Sequence, residues 1–178
     1  AGGAEGPLLV SFRTPALKPL AGRTLAEVAA ERGKPAEDVA MDLVVEDESN
    51  CGAAFFSMSE DNVRRAIRTP FVTFCSDAQS VSAEGPFLQR NPHPRTYGAF
   101  ARVLGKYVRD ERLIPLEQAI HRLTALAADN FRIQRRGRLV PGHFADVVVF
   151  DPTRIIDKAT FKQPHQYAVG VEHVLVNG

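Results

Sequence analysis

The 178-residue sequence lacks the common short motifs of nucleotide-binding and hydrolytic sites. It contains no GxGxxG or GxxxxGK[ST] loop, no HExxH helix and no GxSxG nucleophile elbow. Its five histidines are too dispersed to form an HxH or HxxxH pair, whereas a closed zinc site needs about three or four ligands. These absences exclude a nucleotide-binding loop, and they leave any zinc site built from this chain alone without a recognisable ligand pattern.

Excess charge and long apolar runs are also scarce. The formal net charge is +1, so we expect neither nucleic acid nor a membrane as a partner. The four arginines between 132 and 138 form a basic run that we interpret as a solvated helix end or turn. No apolar run approaches the ~18 residues of a membrane span. The chain does not begin with Met, so the compartment stays open, with the cytoplasm slightly favoured over the periplasm.

Cysteine is rare as well. Cys51 and Cys75 show no CxxC spacing and no disulfide-framework density. We therefore predict two buried free thiols.

Helix signals mark the first third of the chain. Thr24 and Glu27 have the spacing of a capping box, and Gly33 suits the left-handed end of the helix that follows. Pro35 suits the first turn of a second helix. The acidic residues 46–48 close this segment, and we interpret them as a solvated end.

A strand, a helix and a second strand are predicted between residues 53 and 75. Residues 53–57 and 71–75 have strand character, and Ser59 is a plausible N-cap for the helix between them. Such a βαβ unit has parallel strands, and the continuous apolar run 71–75 is typical of a strand buried on both faces. Asp77 then lies beyond the carboxyl end of that strand, where parallel α/β folds place their sites. From position alone, a functional carboxylate and an N-cap or turn former are equally supported.

The remainder of the chain is predicted to hold a long loop, helices and then strands. The loop covers 78–96, and loops of more than about 15 residues are usually functional or disordered. Helical patterns follow from Tyr97, from Pro115 and after Thr124. Strands are predicted at 146–150 and in the alternating VEHVLVNG at the end, with Asp146 satisfying backbone donors. Asn-Gly is a hairpin signal without a return strand, so we expect truncation there.

Five blocks of sequence resemble the C-terminal part of the D-aminoacylase family, the N-acyl-D-amino-acid deacylases of the amidohydrolase superfamily. They are HPR, YG-x-F-x-RVLG-x-Y, RG-x-L-x-PG-x-x-AD-x-VVFDP, ATF and HVLVNG, in that order. The likeness runs from about residue 22 to the end and is most specific over 58–178.

The resemblance implies an α/β fold: the C-terminal part of a distorted (β/α)8 TIM barrel plus strands of a small β-sandwich. A whole barrel takes about 250 residues, more than this chain has. We expect residues 1–136 to form the last β/α units and C-terminal helices of the barrel, and 137–178 to form the β-sandwich segment. The family's other zinc ligands would lie upstream of Ala1.

The resemblance also implies a role for Asp77, and the loop that follows it offers two further candidates, His93 and Arg95. Asp77 matches the family's aspartate at the end of the eighth barrel strand, a zinc ligand that takes a proton from the attacking water and passes it to the departing amine. Several family members have glycine where this chain has Ala78, so the turn after Asp77 is expected to differ. His93 and Arg95 are predicted to bind the substrate, with Arg95 forming two hydrogen bonds to a carboxylate of the substrate. The alternative is that both residues shape the loop and pin it in place. His165 and His173 are predicted to be structural or exposed.

The leading hypothesis is therefore a piece of a zinc-dependent amidohydrolase that hydrolyses small N-acyl-D-amino acids, inactive in isolation. One alternative is an amidohydrolase acting on a cyclic or dipeptide-like amide. Another is a non-catalytic piece that self-associates through an exposed barrel face, because a partial barrel leaves strand edges and apolar surface uncovered.

Overall fold

A computed structural model describes residues 6–89 and 91–178. These residues form two compact units. The first unit takes the described residues of 1–58, 81–93 and 160–165. The second takes 59–80, 94–159 and 166–178. Each unit has its own cluster of buried apolar side chains.

The first unit packs two helices against a two-stranded sheet. Its strands β1 (Pro7–Ser11) and β2 (Gly52–Phe55) pair antiparallel, with Leu8 opposite Ala54 and a register shift between Leu9 and Ser11. Its core consists of Leu9, Phe12, Leu17, Val28, Ala29, Val39 and Leu43. The elements in chain order are β1 (Pro7–Ser11), a 3-10 turn (Pro15–Leu20), α1 (Leu25–Arg32), α2 (Ala36–Glu46), β2 (Gly52–Phe55) and a 3-10 turn (Gly85–Gln89).

The predicted caps of α1 are confirmed. The backbone N–H of Glu27 donates to the Thr24 hydroxyl at 3.2 Å, and the Glu27 carboxylate accepts from the Thr24 backbone N–H at 2.7 Å. Gly33 ends the helix in the left-handed region with φ 63°. Local sequence thus determines both ends of α1, because each cap involves residues at most five positions apart.

Asp47 contradicts the prediction of a solvated acidic end after α2. Its side chain is fully buried. The carboxylate accepts hydrogen bonds from the backbone N–H of Arg13 at 3.0 Å and of Thr14 at 2.6 Å. The donors lie more than thirty positions away along the chain, so no local pattern around Asp47 could reveal them.

The regular secondary structure of the second unit is mainly helical. Its core consists of Ile67, Ala101, Val103, Leu104, Tyr107, Val108, Ile114, Ala119 and Ile155. The elements in chain order are α3 (Glu60–Arg68), α4 (Arg95–Arg102), a π-helix (Val103–Asp110), α5 (Leu116–Leu123), α6 (Ala125–Asn130), β3 (Val147–Phe150) and β4 (Val171–Leu175). The predicted helices are confirmed, although Ser59 caps α3 by position only and makes no side-chain cap hydrogen bond.

The π-helix widens the backbone where another segment passes close to it. Gly105 lies in its first half, and a Cβ added there would collide with the carbonyl oxygen of Ile155 and the side chain of Ile156. Glycine is therefore required at this position by close approach of two backbones.

The predicted βαβ unit is wrong. β2 pairs antiparallel with β1, and residues 71–75 have no strand partner among the described residues. The predicted burial is wrong too, since Phe71 is 76% exposed and Cys75 is exposed. Strand pairing depends on partners distant in sequence, which propensity over five residues cannot supply. Both cysteines are free, as predicted, but Cys51 is only half-buried.

The last segment forms a two-stranded antiparallel sheet, with Val148 of β3 opposite Val174 of β4. Asp146 accepts from the backbone N–H of Asn177 at 3.0 Å, which confirms its predicted structural role. His173 lies exposed on β4. The sandwich domain and the boundary after residue 136 stay predictions.

None of the helices in the ranges 6–89 and 91–178 is long and apolar enough to cross a membrane.

Asp47→Asn is expected to destabilise the chain at neutral pH and to flatten its acid unfolding profile. Burial raises the pKa of Asp47, but hydrogen bonds from the backbone N–H groups of Thr14 and Arg13 outweigh burial and hold the pKa below its ordinary value. Stability from the ionised form is therefore present above the unfolded pKa of about 3.9 and lost as pH falls through the folded value. Urea unfolding followed by circular dichroism across the acidic range measures this.

Asp38→Asn is the matched control, because Asp38 is an exposed carboxylate in the first turn of the same helix. It should leave the acid profile nearly unchanged. If Asp47→Asn and the wild-type chain lose stability in parallel between about pH 6 and about pH 2, the buried carboxylate is not the titrating group.

Candidate functional site

Asp77 lies at a sharp corner that ends the irregular segment 71–77. Its φ is 47°, in the left-handed region, and aspartate is one of the few residues other than glycine that adopt this region readily. The left-handed residue is thus Asp77 itself, and Ala78 is not among the described residues with positive φ. The corner leaves the Asp77 side chain 79% exposed, where a ligand can reach it.

Arg95 is the partner of Asp77. Arg95 is the first residue of α4, and its Nη2 lies 2.8 Å from Oδ2 of Asp77. The Arg95 side chain is 43% exposed, and an ion pair between such exposed side chains contributes only about 0.2–1 kcal/mol. The pair therefore places a carboxylate and a guanidinium side by side while costing little to separate.

His93 belongs to the first unit, whereas Asp77 and Arg95 belong to the second. The His93 ring meets Phe161 edge to face, with ring centroids 4.8 Å apart, and Phe161 meets Phe56 in the same way at 4.7 Å. This aromatic contact supports the alternative in which His93 pins its loop. Substrate binding by His93 stays a prediction.

Arg122 supports the segment that leads to Asp77. This residue of α5 is 1% exposed. Its Nε donates to the carbonyl of Val72 at 2.6 Å, and its Nη1 donates to the carbonyl of Ile67 at 2.5 Å. Its guanidinium carbon lies 4.6 Å from the centre of the Phe74 ring. We did not predict this role, and the available signal was an arginine three positions after buried Ala119, on the apolar face of α5.

A charged network joins α3 to the π-helix. Lys106 and Tyr107 both donate to Glu60, the tyrosine hydroxyl at 2.8 Å, and Arg64 donates to Glu111 at 2.8 Å. The hydrogen bond from Lys106 lowers the pKa of Glu60, and the one from Arg64 lowers the pKa of Glu111. Both carboxylates are therefore ionised at neutral pH, and the network holds α3, which precedes the segment that ends on Asp77.

The described residues do not by themselves fit a zinc site. No group of three or more histidine, cysteine, aspartate or glutamate side chains in that part of the chain could hold a metal ion. Asp77 offers one carboxylate, and that carboxylate is paired with Arg95.

The sequence of this chain is similar to those of known deacylases. The chain is 43% identical to the D-aminoacylase of Alcaligenes xylosoxydans xylosoxydans over 159 residues, which cover 89% of this chain and 30% of that protein. It is also 43% identical to the N-acyl-D-glutamate deacylase of the same organism over 157 residues, or 88% of this chain and 30% of the relative. The chain thus spans about 30% of the length of these relatives.

A solved structure agrees with the sequence comparison. The N-acyl-D-glutamate deacylase of Bordetella bronchiseptica, crystallised with zinc and a phosphonate inhibitor that mimics the tetrahedral intermediate, superposes with a TM-score of 0.84 at 40% identity. That match covers 100% of this chain and 35% of the other. The predicted resemblance to D-aminoacylases is therefore confirmed.

A family model described as the amidohydrolase family matches residues 14–178, nearly the whole sequence. The chain belongs to the amidohydrolase family.

Proposed function

We propose that this chain forms part of an enzyme that hydrolyses N-acyl-D-amino acids to a carboxylate and a free D-amino acid. The observation that carries the proposal is the Asp77–Arg95 pair: an exposed carboxylate at a left-handed corner, 2.8 Å from a guanidinium. It occurs in a chain that is 43% identical to a D-aminoacylase. Because the chain spans about 30% of that relative, the activity belongs to a larger protein than the residues described.

Asp77 is the proposed proton carrier. Hydrolysis of an amide adds water to the carbonyl carbon and breaks the C–N bond, so one proton must leave the water oxygen and one must reach the departing nitrogen. A carboxylate oxygen can accept the first proton and deliver the second, and general acid–base groups of this kind contribute about 10²–10⁴-fold. The Asp77 side chain is 79% exposed, so a water molecule and a departing amine could both reach its carboxylate.

Arg95 is the proposed binder of the substrate carboxylate. The guanidinium presents a planar fork of donors that matches a carboxylate in two parallel hydrogen bonds. One nitrogen of that fork, Nη2, pairs with Oδ2 of Asp77 at 2.8 Å. A substrate carboxylate would compete for Arg95, which would bring the substrate next to the proton carrier.

Zinc is the proposed cofactor of the complete enzyme. It is present in the Bordetella bronchiseptica relative, and zinc when bound acts as a Lewis acid toward a carbonyl oxygen. Since the described residues do not fit a metal site, we propose that ligands outside this chain hold it, as the family resemblance implies.

The purified 178-residue chain is expected to retain almost no zinc after exhaustive dialysis, because Asp77 has no neighbouring ligand among the described residues. Elemental mass spectrometry gives the metal content per chain. About one zinc per chain would contradict the proposed origin of the ligands, because a zinc site needs about three or four of them.

The catalytic roles can be tested in a chimera in which residues 14–178 replace the matching segment of the Alcaligenes D-aminoacylase. We expect Asp77→Asn to lower kcat by about 10²–10⁴-fold with little change in KM, because the amide cannot carry the proton. Arg95→Gln should mainly raise KM, by about tenfold or more, through loss of charge-assisted hydrogen bonds. Steady-state hydrolysis of N-acetyl-D-amino acids measures both constants.

Asp61→Asn is the matched control for Asp77, because Asp61 is another exposed carboxylate with an arginine partner, Arg64 at 3.2 Å. It should leave kcat unchanged. Retention of full kcat by Asp77→Asn in a zinc-loaded chimera would refute the proton-carrier role. The isolated chain should be inactive, and hydrolysis by it that is abolished in Asp77→Asn would overturn the proposal that further residues are required.

We also propose that the isolated chain self-associates. Phe71 is 76% exposed, and every residue of β4 is exposed, with Val174 at 65%. If these exposed apolar side chains come together in one patch, they favour contact with other chains. Sedimentation velocity over a range of concentrations should show a rising weight-average coefficient, with the double variant Phe71→Ser and Val174→Thr showing a smaller rise. A concentration-independent monomer would contradict this proposal.

A further inference from the structure

We propose that Arg122 is a positioning residue that fixes the course of residues 67–77 and thereby the place of the Asp77 carboxylate. The inference rests on the proposed function for the catalytic importance of Asp77. Its structural part, the ordering of the segment by Arg122, is independent of that function.

The guanidinium of Arg122 joins two parts of the chain that no sheet connects in the described structure. Ile67 lies in the last turn of α3, where carbonyl groups have no partner within the helix. Val72 lies four residues beyond the end of α3, in the irregular segment. One rigid, planar group donates to both carbonyls, at 2.5 Å to Ile67 and at 2.6 Å to Val72. Because the fork geometry is fixed, it also fixes the distance and angle between these two carbonyls.

The Phe74 ring provides a third point of attachment. The guanidinium carbon lies 4.6 Å from the ring centre, within the range of a cation–π contact. Asp77 follows Phe74 by three residues, which can span about 10 Å at most when extended. Arg122 therefore does not touch the candidate catalytic group, but it restricts where that group can lie.

Burial of the Arg122 guanidinium is costly, so the position requires what only directed donors provide. Burial lowers the pKa of Arg122, both of its acceptors are neutral carbonyls, and its buried Nη2 has no hydrogen-bond partner among the described residues. An apolar side chain of similar size would avoid the cost of burying a charge, but it would leave the carbonyls of Ile67 and Val72 without these donors. What an apolar side chain cannot provide is two directed donors for the backbone that leads to Asp77.

Lysine cannot replace this geometry. An ammonium group is a point charge on a flexible stem, without the planar fork that reaches two carbonyls and stacks on a ring at once. Arg122→Lys therefore keeps the charge and loses the constraint, which makes it the informative conservative variant beside Arg122→Met.

The first test attaches a nitroxide spin label to Cys75 of the 178-residue chain in a Cys51→Ser background. Cys75 is exposed and lies two residues before Asp77. We expect Arg122→Met to increase the mobility of the label, Arg122→Lys to increase it less, and Arg65→Met to leave it unchanged. Arg65 is an exposed arginine of α3, so the control removes the same charge without touching the segment. Circular dichroism confirms that each variant is folded.

An unchanged label in folded Arg122→Met and Arg122→Lys chains would overturn the inference. If both variants lose their helical signal, Phe74→Leu replaces them, because it removes the ring face and leaves both hydrogen bonds in place. Increased mobility in Phe74→Leu would then support the inference, and unchanged mobility would overturn it.

The second test measures Arg122→Lys in the chimera. We expect kcat to fall by about tenfold to a hundredfold with KM changed by less than about threefold, the pattern of a misplaced catalytic group. Unchanged kcat with a mobile label would overturn the link to catalysis. A folded, zinc-loaded chimera without any activity would refute the proposed function, while the label at Cys75 would still decide the ordering of the segment.

Discussion

The backbone between the end of α3 and Asp77 must satisfy its polar groups without a neighbouring strand in the described part of the chain. Unpaired buried carbonyls cost free energy comparable to a lost hydrogen bond. Arg122 meets this constraint by donating to the carbonyls of Ile67 and Val72 from a fully buried position. These contacts hold the segment at both carbonyls before it reaches the corner at Asp77.

The site combines a rigid support with a loosely held pair. The rigid support consists of the hydrogen bonds from Lys106 and Tyr107 to Glu60, which join α3 to the π-helix. The loosely held pair consists of Asp77 and Arg95, which form an exposed ion pair that contributes little to stability. This division suits a catalytic group, because its position must be well defined while its partner must be exchangeable for a substrate.

The elements that could be predicted from the sequence are those with local causes. The cap of α1 by Thr24 and Glu27, its end at Gly33 and the helix after Pro115 depend on neighbouring residues. The antiparallel pairing of β1 with β2 depends on distant ones, and the predicted parallel unit was wrong for that reason.

The same distinction applies to the candidate site. Asp77 was predicted from its place after an apolar run and from the family resemblance, and Arg95 from the resemblance and its loop. Arg122 acts over fifty positions in sequence, and Asp47 over more than thirty. A buried polar side chain with distant backbone partners has no local signature, because its neighbours in sequence are not its neighbours in space.

The division of the chain into two units has a consequence for synthesis on the ribosome. The first unit includes residues 160–165 in addition to its amino-terminal part, and the second begins at 59 and ends at 178. The first unit is therefore completed only after most of the second has been made, so the usual order in which one domain folds before the next is made does not apply. Nascent chains halted anywhere before residue 165 would expose an unfinished first unit to chaperones and proteases.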